Sequence, residues 1–228
     1  MYGMRLWAFG LLLVGVLATT VFCTADDDGR KGSLPRPRVK GTISLEAVLA
    51  ARRSVRDYTA KPLDTSQIGQ LCWAAQGVTE PDSGKRTAPS AGALYPLEVD
   101  IVTGDGVFRY DPSSHSLKQR LETDVRDRLS AAALNQRWVK TAPAVIVISG
   151  VVSRTQRKYG KRAQRYVYLE AGHAAQNVLL QAEALGLAAV PVGAFQDAEV
   201  VKVLDLGKGE TPIYLIPAGR PKKADRDG

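Results

Sequence analysis

Apolar residues recur along this chain in two rhythms, and the switches between them mark out its elements. Between Ser44 and Arg52, Leu45, Val48 and Leu49 fall at helical spacing, and Ser44 can cap the start. Thr65 or Asp64 caps a second predicted helix carrying Ile68, Leu71, Cys72, Ala74 and Ala75, with Gly77 at its C-terminal stop. From Leu97 to Thr103 the period drops to two: Leu97, Val99 and Ile101 inward, Glu98 and Asp100 outward. Gly104-Asp105-Gly106 turns the chain, and Val107 to Tyr110 returns as the second strand of a hairpin. A polar helix is predicted over Thr123 to Leu134. Ala144-Val145-Ile146-Val147-Ile148 is an unbroken apolar run, the pattern of a central strand buried on both faces. The longest helical pattern runs from Tyr166 to Leu185 and ends at Gly186. Its wide stripe is rich in Ala and Gly, which suits close packing against another helix, of this chain or of a partner. Ala188 to Val192 and Ile213 to Ile216 complete the sheet. Helices segregate from hairpin-linked strands. That predicts an α+β sandwich with a central, mostly antiparallel sheet flanked by helices.

Composition narrows the picture. The 228 residues and 45% hydrophobic content allow one domain, with a tail, and a sizeable core. There is no internal repeat, no Walker-type loop and no G-x-G-x-x-G. Residues 1–25 read as an export signal: Arg5, an apolar stretch from Leu6 to Phe22, then the small-residue site Cys23-Thr24-Ala25. Cleavage after Ala25, lipoprotein processing before Cys23 and an uncleaved signal anchor are the alternatives, in that order. The expected location is therefore exported, periplasmic or membrane-anchored. Residues 26–41 read as a charged, Gly- and Pro-containing linker, and 223–228 as a tail.

The net charge of +8 is spread along the chain. With an export signal, that argues against nucleic acid and leaves membrane contact to the N-terminal segment. Of the two cysteines, Cys23 belongs to the signal, and Cys72 is read as a buried small hydrophobe. The two histidines, His115 and His173, do not make a metal site. His173 and Glu170, on the long helix, are read as packing and hydrogen-bonding residues.

Two segments carry candidate chemistry. Arg52-Arg53-Ser54-Val55-Arg56 puts three guanidiniums and a hydroxyl within five residues, the donors a phosphate dianion requires. A solvated helix end would account for the same residues. Pro89-Ser90-Ala91-Gly92-Ala93-Leu94-Tyr95-Pro96 is small enough for backbone to lie against a flat ring. Tyr168-Leu169-Glu170-Ala171-Gly172-His173-Ala174-Ala175-Gln176-Asn177 and Val190-Pro191-Val192-Gly193-Ala194-Phe195 follow.

In that order, the four segments resemble the nitroreductase-fold flavoproteins, and within them the SagB/ThcOx-type dehydrogenase branch. The resemblance covers roughly Leu45 to Arg220. It implies a homodimer with FMN in two interface clefts and an FMN domain over residues 42–222. Arg52, Arg53, Ser54 and Arg56 would make phosphate and N1-side contacts. Pro191, Val192, Gly193 and Ala194 would lie along the ring edge near N5, and Arg220 would reach the phosphate. Pro89, Ser90, Ala91 and Gly92 would contact the ring from the other subunit. Lys158 and Tyr159 lie where azoline-oxidising relatives have a catalytic Lys-Tyr pair; a charged loop is the competing reading.

The expected activity is hydride transfer through flavin N5, to or from a small organic or peptide-derived substrate. A redox protein or quinone would serve as electron partner, because NAD(P)H is not expected outside the cytoplasm. The rival readings are a flavin-binding or electron-transfer protein without turnover, and a basic membrane-associated domain without flavin.

Overall fold

The structure, a computed structural model, describes residues 32–222. The signal and tail readings fall outside this range. Among the described residues no helix is long and apolar enough to cross a membrane.

Helix α1 (Leu45–Ala51) starts at Ser44, whose hydroxyl accepts the Ala47 N–H at 3.2 Å. Only Val48 of its apolar stripe is buried; Leu45 and Leu49 stay exposed. Helix α2 (Thr65–Gln76) is capped by Asp64 rather than Thr65, in a reciprocal box with Gln67. Its Gly77 is extended, not left-handed (φ −63°), which corrects the usual reading of a terminal glycine. Space selects glycine here, because a Cβ would stand 2.1 Å from the Trp73 ring.

A ribbon of β1 (Val78–Glu80) and β2 (Lys85–Arg86) leads to the main strands. These are β3 (Leu97–Thr103), β4 (Gly106–Asp111), β5 (Ser116–Leu121), β6 (Ala144–Val151), β7 (Ala188–Ala189) and β8 (Glu210–Gly219). They form one antiparallel six-stranded sheet in the order β5-β4-β3-β6-β8-β7. Central β6 divides the core in two. Ala144, Ile146 and Ile148 join α2 and the long α6 (Ala163–Ala184) on one face. Val145 and Val147 join α3 (Arg126–Ala132), α4 (Arg137–Thr141) and α7 (Asp197–Leu204) on the other. Both layers exclude water, as the unbroken apolar run of β6 requires.

Three sequence expectations change. Glu98 and Asp100 leave the apolar face as their alternation predicts, yet Asp100 is fully buried. Arg109 grips it bidentately (2.8 and 2.9 Å) and also binds Glu210 (2.8 Å) and Glu98 (3.1 Å). Burial opposes the Arg109 charge, but these carboxylates outweigh it and raise the guanidinium's pKa. The polar helix expected over residues 123–134 shortens to α3, with a separate α4 after it. Part of the expected linker is packed. Leu34 is buried, Ser33 bridges Ser116, and Arg38 exchanges two hydrogen bonds with Gln70.

Candidate functional site

The arginine segment leaves α1 as extended chain. The Arg52 N–H closes the helix on the Val48 carbonyl. Ser54 then bridges Ala189 in parallel, and the Val55 N–H donates to the Ala189 carbonyl (3.2 Å). Residues 52–56 therefore run beside β7. Tyr58 pins them, its buried hydroxyl 2.7 Å from the Val55 carbonyl and 3.3 Å from that of Pro217. Burial pushes the Tyr58 hydroxyl well above its ordinary pKa, so it stays a donor. The Thr59 N–H donates to the Arg220 carbonyl (2.9 Å), which brings the end of β8 to the same edge.

Among the described residues, Arg52, Arg53 and Arg56 form no ion pair with a carboxylate. Arg53 turns back to the Ala50 and Arg52 carbonyls, and Arg56 stands 5.4 Å from the centre of the Trp138 ring. Arg220 reaches Gln67 at 3.2 Å, while its Nε is buried without a partner.

The loop after β7 lies alongside. Val192 exchanges hydrogen bonds with Leu215 (2.7 and 3.0 Å) and is buried, Pro191 is half-buried, and Gly193 and Ala194 are exposed. The Ala194 carbonyl accepts from Gln136 Nε2 at 2.7 Å. A Cβ at Gly193 would meet nothing within 4 Å, so this backbone can be approached. Gln136 and Trp138, at the start of α4, support the loop and Arg56. Sequence reasoning missed both, because a five-residue helix carries no readable period.

A second group assembles around residues 89–96. Ser90 Oγ accepts the Tyr95 N–H at 2.9 Å, folding residues 91–93 into one helical turn. Gly92 at its tip has φ +64°. A Cβ there would stand 2.9 Å from both Lys158 Nζ and Tyr159 Oη. The turn thus meets Lys158 and Tyr159, which end helix α5 (Val152–Tyr159) and do not form a loop. Tyr159 packs edge-on against Tyr166.

Glu170 is buried on α6 close behind Ser90, with Oε1 unpartnered. Burial pushes its carboxyl up to about 7, against the pull of the Ser90 hydroxyl and Arg86. His173 is exposed, correcting its reading as a packing histidine, and no cluster among the described residues could hold a metal ion. Cys72 is fully buried, and its thiol is pushed up by that burial.

Arg52, Arg53, Ser54, Arg56, Pro191, Val192, Gly193, Ala194 and Arg220 thus share one edge, while Pro89, Ser90, Ala91 and Gly92 gather with Lys158 and Tyr159. Among the described residues no hydrogen bond or ion pair joins the two groups within one chain. The first group fits an organic phosphate: Arg52, Arg53 and Arg56 without carboxylate partners among the described residues, an exposed hydroxyl, a buried Arg220 Nε without a partner beside that residue's 3.9 Å pair with Asp64, and an open Gly-Ala backbone. That donor set matches an anion better than a metal.

Comparison with known proteins points the same way. The model of the Nitroreductase family matches residues 49–220. A Methanocaldococcus jannaschii protein classed as a nitroreductase is 45% identical over 184 residues, 78% of this chain and 91% of its own. The solved structure of a Ralstonia eutropha protein of the same class superposes with a TM-score of 0.77 at 30% identity, covering 84% of this chain and 90% of that one. The microcin B17-processing protein McbC of Escherichia coli is 27% identical over 166 residues, 68% of this chain but 61% of McbC.

Proposed function

Because this chain belongs to the nitroreductase family, we propose that it is an FMN-dependent oxidoreductase of the SagB/ThcOx-type dehydrogenase branch. The carrying observation is the convergence of Arg52, Arg53, Ser54, Arg56 and Arg220 on the edge that also presents residues 190–194. Arg52, Arg53, Ser54 and Arg220 would hold the phosphate. Arg56 would stand beside the ring, and Gly193 and Ala194 would offer it backbone N–H groups. When bound, the flavin supplies hydride exchange with a small organic or peptide-derived substrate. The likeness to McbC supports the branch and the peptide-derived alternative.

In this reading the active unit is a homodimer. Tyr168 and Leu169 of α6 are 46% and 51% exposed, and Leu45 and Leu49 of α1 are 60% and 51% exposed. Covering this apolar surface with a second copy would bring its 89–92 turn, with Lys158 and Tyr159, to the arginine edge. Lys158 would then be placed to offer a proton or a positive charge to substrate, with Tyr159 beside it.

The N-terminal pattern supports export. Electrons would then leave to oxygen, a quinone or a redox protein rather than arrive from NAD(P)H. The test is the absorbance of residues 26–228 after incubation with FMN and desalting. The expected result is a perturbed flavin band at about one per chain, slow to bleach with NADH. A colourless protein would remove the FMN reading, and rapid bleaching by NADH would remove the proposed electron route.

A further inference from the structure

The segment from Gly92 to Pro96 lies along α5, and three contacts hold it there in order. As the segment runs back from Pro96 to Gly92, α5 runs forward from its start to its end. The Val151 N–H, just before the helix, donates to the Pro96 carbonyl at 2.8 Å. Within the first turn, Arg154 donates to the Tyr95 carbonyl at 3.3 Å. Lys158 follows four residues later on the same face, and with Tyr159 it stands against Gly92.

The backbone of the segment opposes this shape. Gly92, Ala93 and Tyr95 all have positive φ (64°, 54° and 45°). For Ala93 and Tyr95 the left-handed region is strained, and such residues persist only where their surroundings fix them. Tyr95 is fixed from three sides. Ser90 Oγ accepts its N–H at 2.9 Å, Arg154 holds its carbonyl, and the Arg86 guanidinium stacks over its ring at 4.4 Å. Of these three, only Arg154 belongs to the element that carries Lys158 and Tyr159. Its guanidinium is steered by one oxygen of Glu98, whose other oxygen binds Arg109 at 3.1 Å within the buried ion cluster.

We infer that Arg154 is a positioning residue: it clamps the strained 92–95 segment to α5 through the Tyr95 carbonyl, and so fixes Gly92 against Lys158 and Tyr159. The inference rests on the proposed function only for the use of Lys158. The clamp itself belongs to the bare chain. Removing it leaves the Pro96 bond at one end and lets Tyr95 relax toward negative φ, which carries Gly92 away from the two side chains.

Amide hydrogen exchange on the full chain, wild type against Arg154→Ala, tests this. Peptides spanning residues 88–96 should lose about threefold to tenfold protection, the range of one ordinary hydrogen bond. Strands Leu97–Thr103 and Ala144–Val151 should keep theirs. Acetylation of Lys158 by an amine reagent, measured against Lys161 on the same chain, should speed up as its nitrogen loses the cover of the segment. A surface ion pair with a structural role alone would lower the denaturation midpoint and move neither local reading. No change at residues 88–96, a loss shared equally by the two strands, or an unchanged Lys158 ratio overturns the inference. Should Arg154→Ala fail to fold, Arg154→Lys keeps a cation beside Glu98 and loses the fork that serves both partners. The same peptides should loosen, and unchanged protection would overturn the inference equally. Absorbance after incubation with FMN, read on the same samples, separates the two proposals. A chain that shows the clamp but holds no FMN sinks only the cofactor reading, and one that holds FMN without the clamp sinks only this one.

Discussion

Arg56 has its guanidinium above an indole ring rather than against a carboxylate, and this residue-scale choice leaves its charge available. Such stacking is worth about 0.5–1 kcal/mol at an exposed site, enough to orient the group without neutralising it. Among the described residues, Arg52 and Arg53 likewise have no carboxylate partner. A hydrogen bond to a charged group contributes about 1.5–3 kcal/mol, so the Arg52→Ala, Arg53→Ala double variant should weaken FMN binding by at least about 10²-fold. Fluorescence titration with FMN measures this, and an unchanged affinity would return both arginines to surface charge. Gly92 gives a second expectation at this scale. Its left-handed backbone strains any side chain, and a methyl group would push aside the tips of Lys158 and Tyr159. Gly92→Ala should cost about 1–2 kcal/mol from backbone strain alone, read as a lowered midpoint in chemical denaturation.

At the scale of elements, His115 fastens the N-terminal segment to the sheet. Its Nε2 lies 2.9 Å from the Pro35 carbonyl and its Nδ1 2.9 Å from the Tyr110 hydroxyl. A carbonyl can only accept, so Nε2 carries the proton and Nδ1 accepts from Tyr110. Burial lowers the pKa of His115, against the Pro35 hydrogen bond. The unfolded chain therefore binds the proton more readily, and stability falls as pH drops through the ordinary histidine range. Chain cleavage by a protease within residues 32–40 should accelerate on acidification, and His115→Gln should flatten that dependence. The buried ion cluster makes a different demand. Asp100→Ala would strand Arg109 among fewer anions and should cost about 3–5 kcal/mol in a denaturant titration.

At the scale of the whole molecule, the proposed dimer would bring the two residue groups together. The exposed apolar residues of α1 and α6 are the surface available for it. Leu169→Glu should shift sedimentation from dimer to monomer and reduce FMN retention with it, because each ring would lose the partner's 89–92 turn. A wild-type monomer that retains FMN would show that one chain suffices. The charge of +8 works at this scale also, favouring anionic ligands and surfaces over their opposites.

Local patterning by itself determined much of this protein. The helices over 45–51, 65–76 and 163–184, the hairpin at 97–111 and the doubly buried strand at 144–151 each announce themselves by periodicity, caps or turn residues, because those signals act within a few residues. The ordered motifs likewise carried the family, since residue types and their order are readable without contacts. Tertiary structure decided what depends on distance in sequence. Strand β5 and helices α4, α5 and α7 are short or polar, and the packing of the sheet selects them. The burial of Asp100 follows from Arg109 and Glu210, which no local pattern links to it. The meeting of Gly92 with Lys158 and Tyr159 joins residues far apart in the chain, so only the fold brings them together. The tuning of Glu170 has the same origin: burial and neighbours set a proton affinity, and both are properties of the folded state.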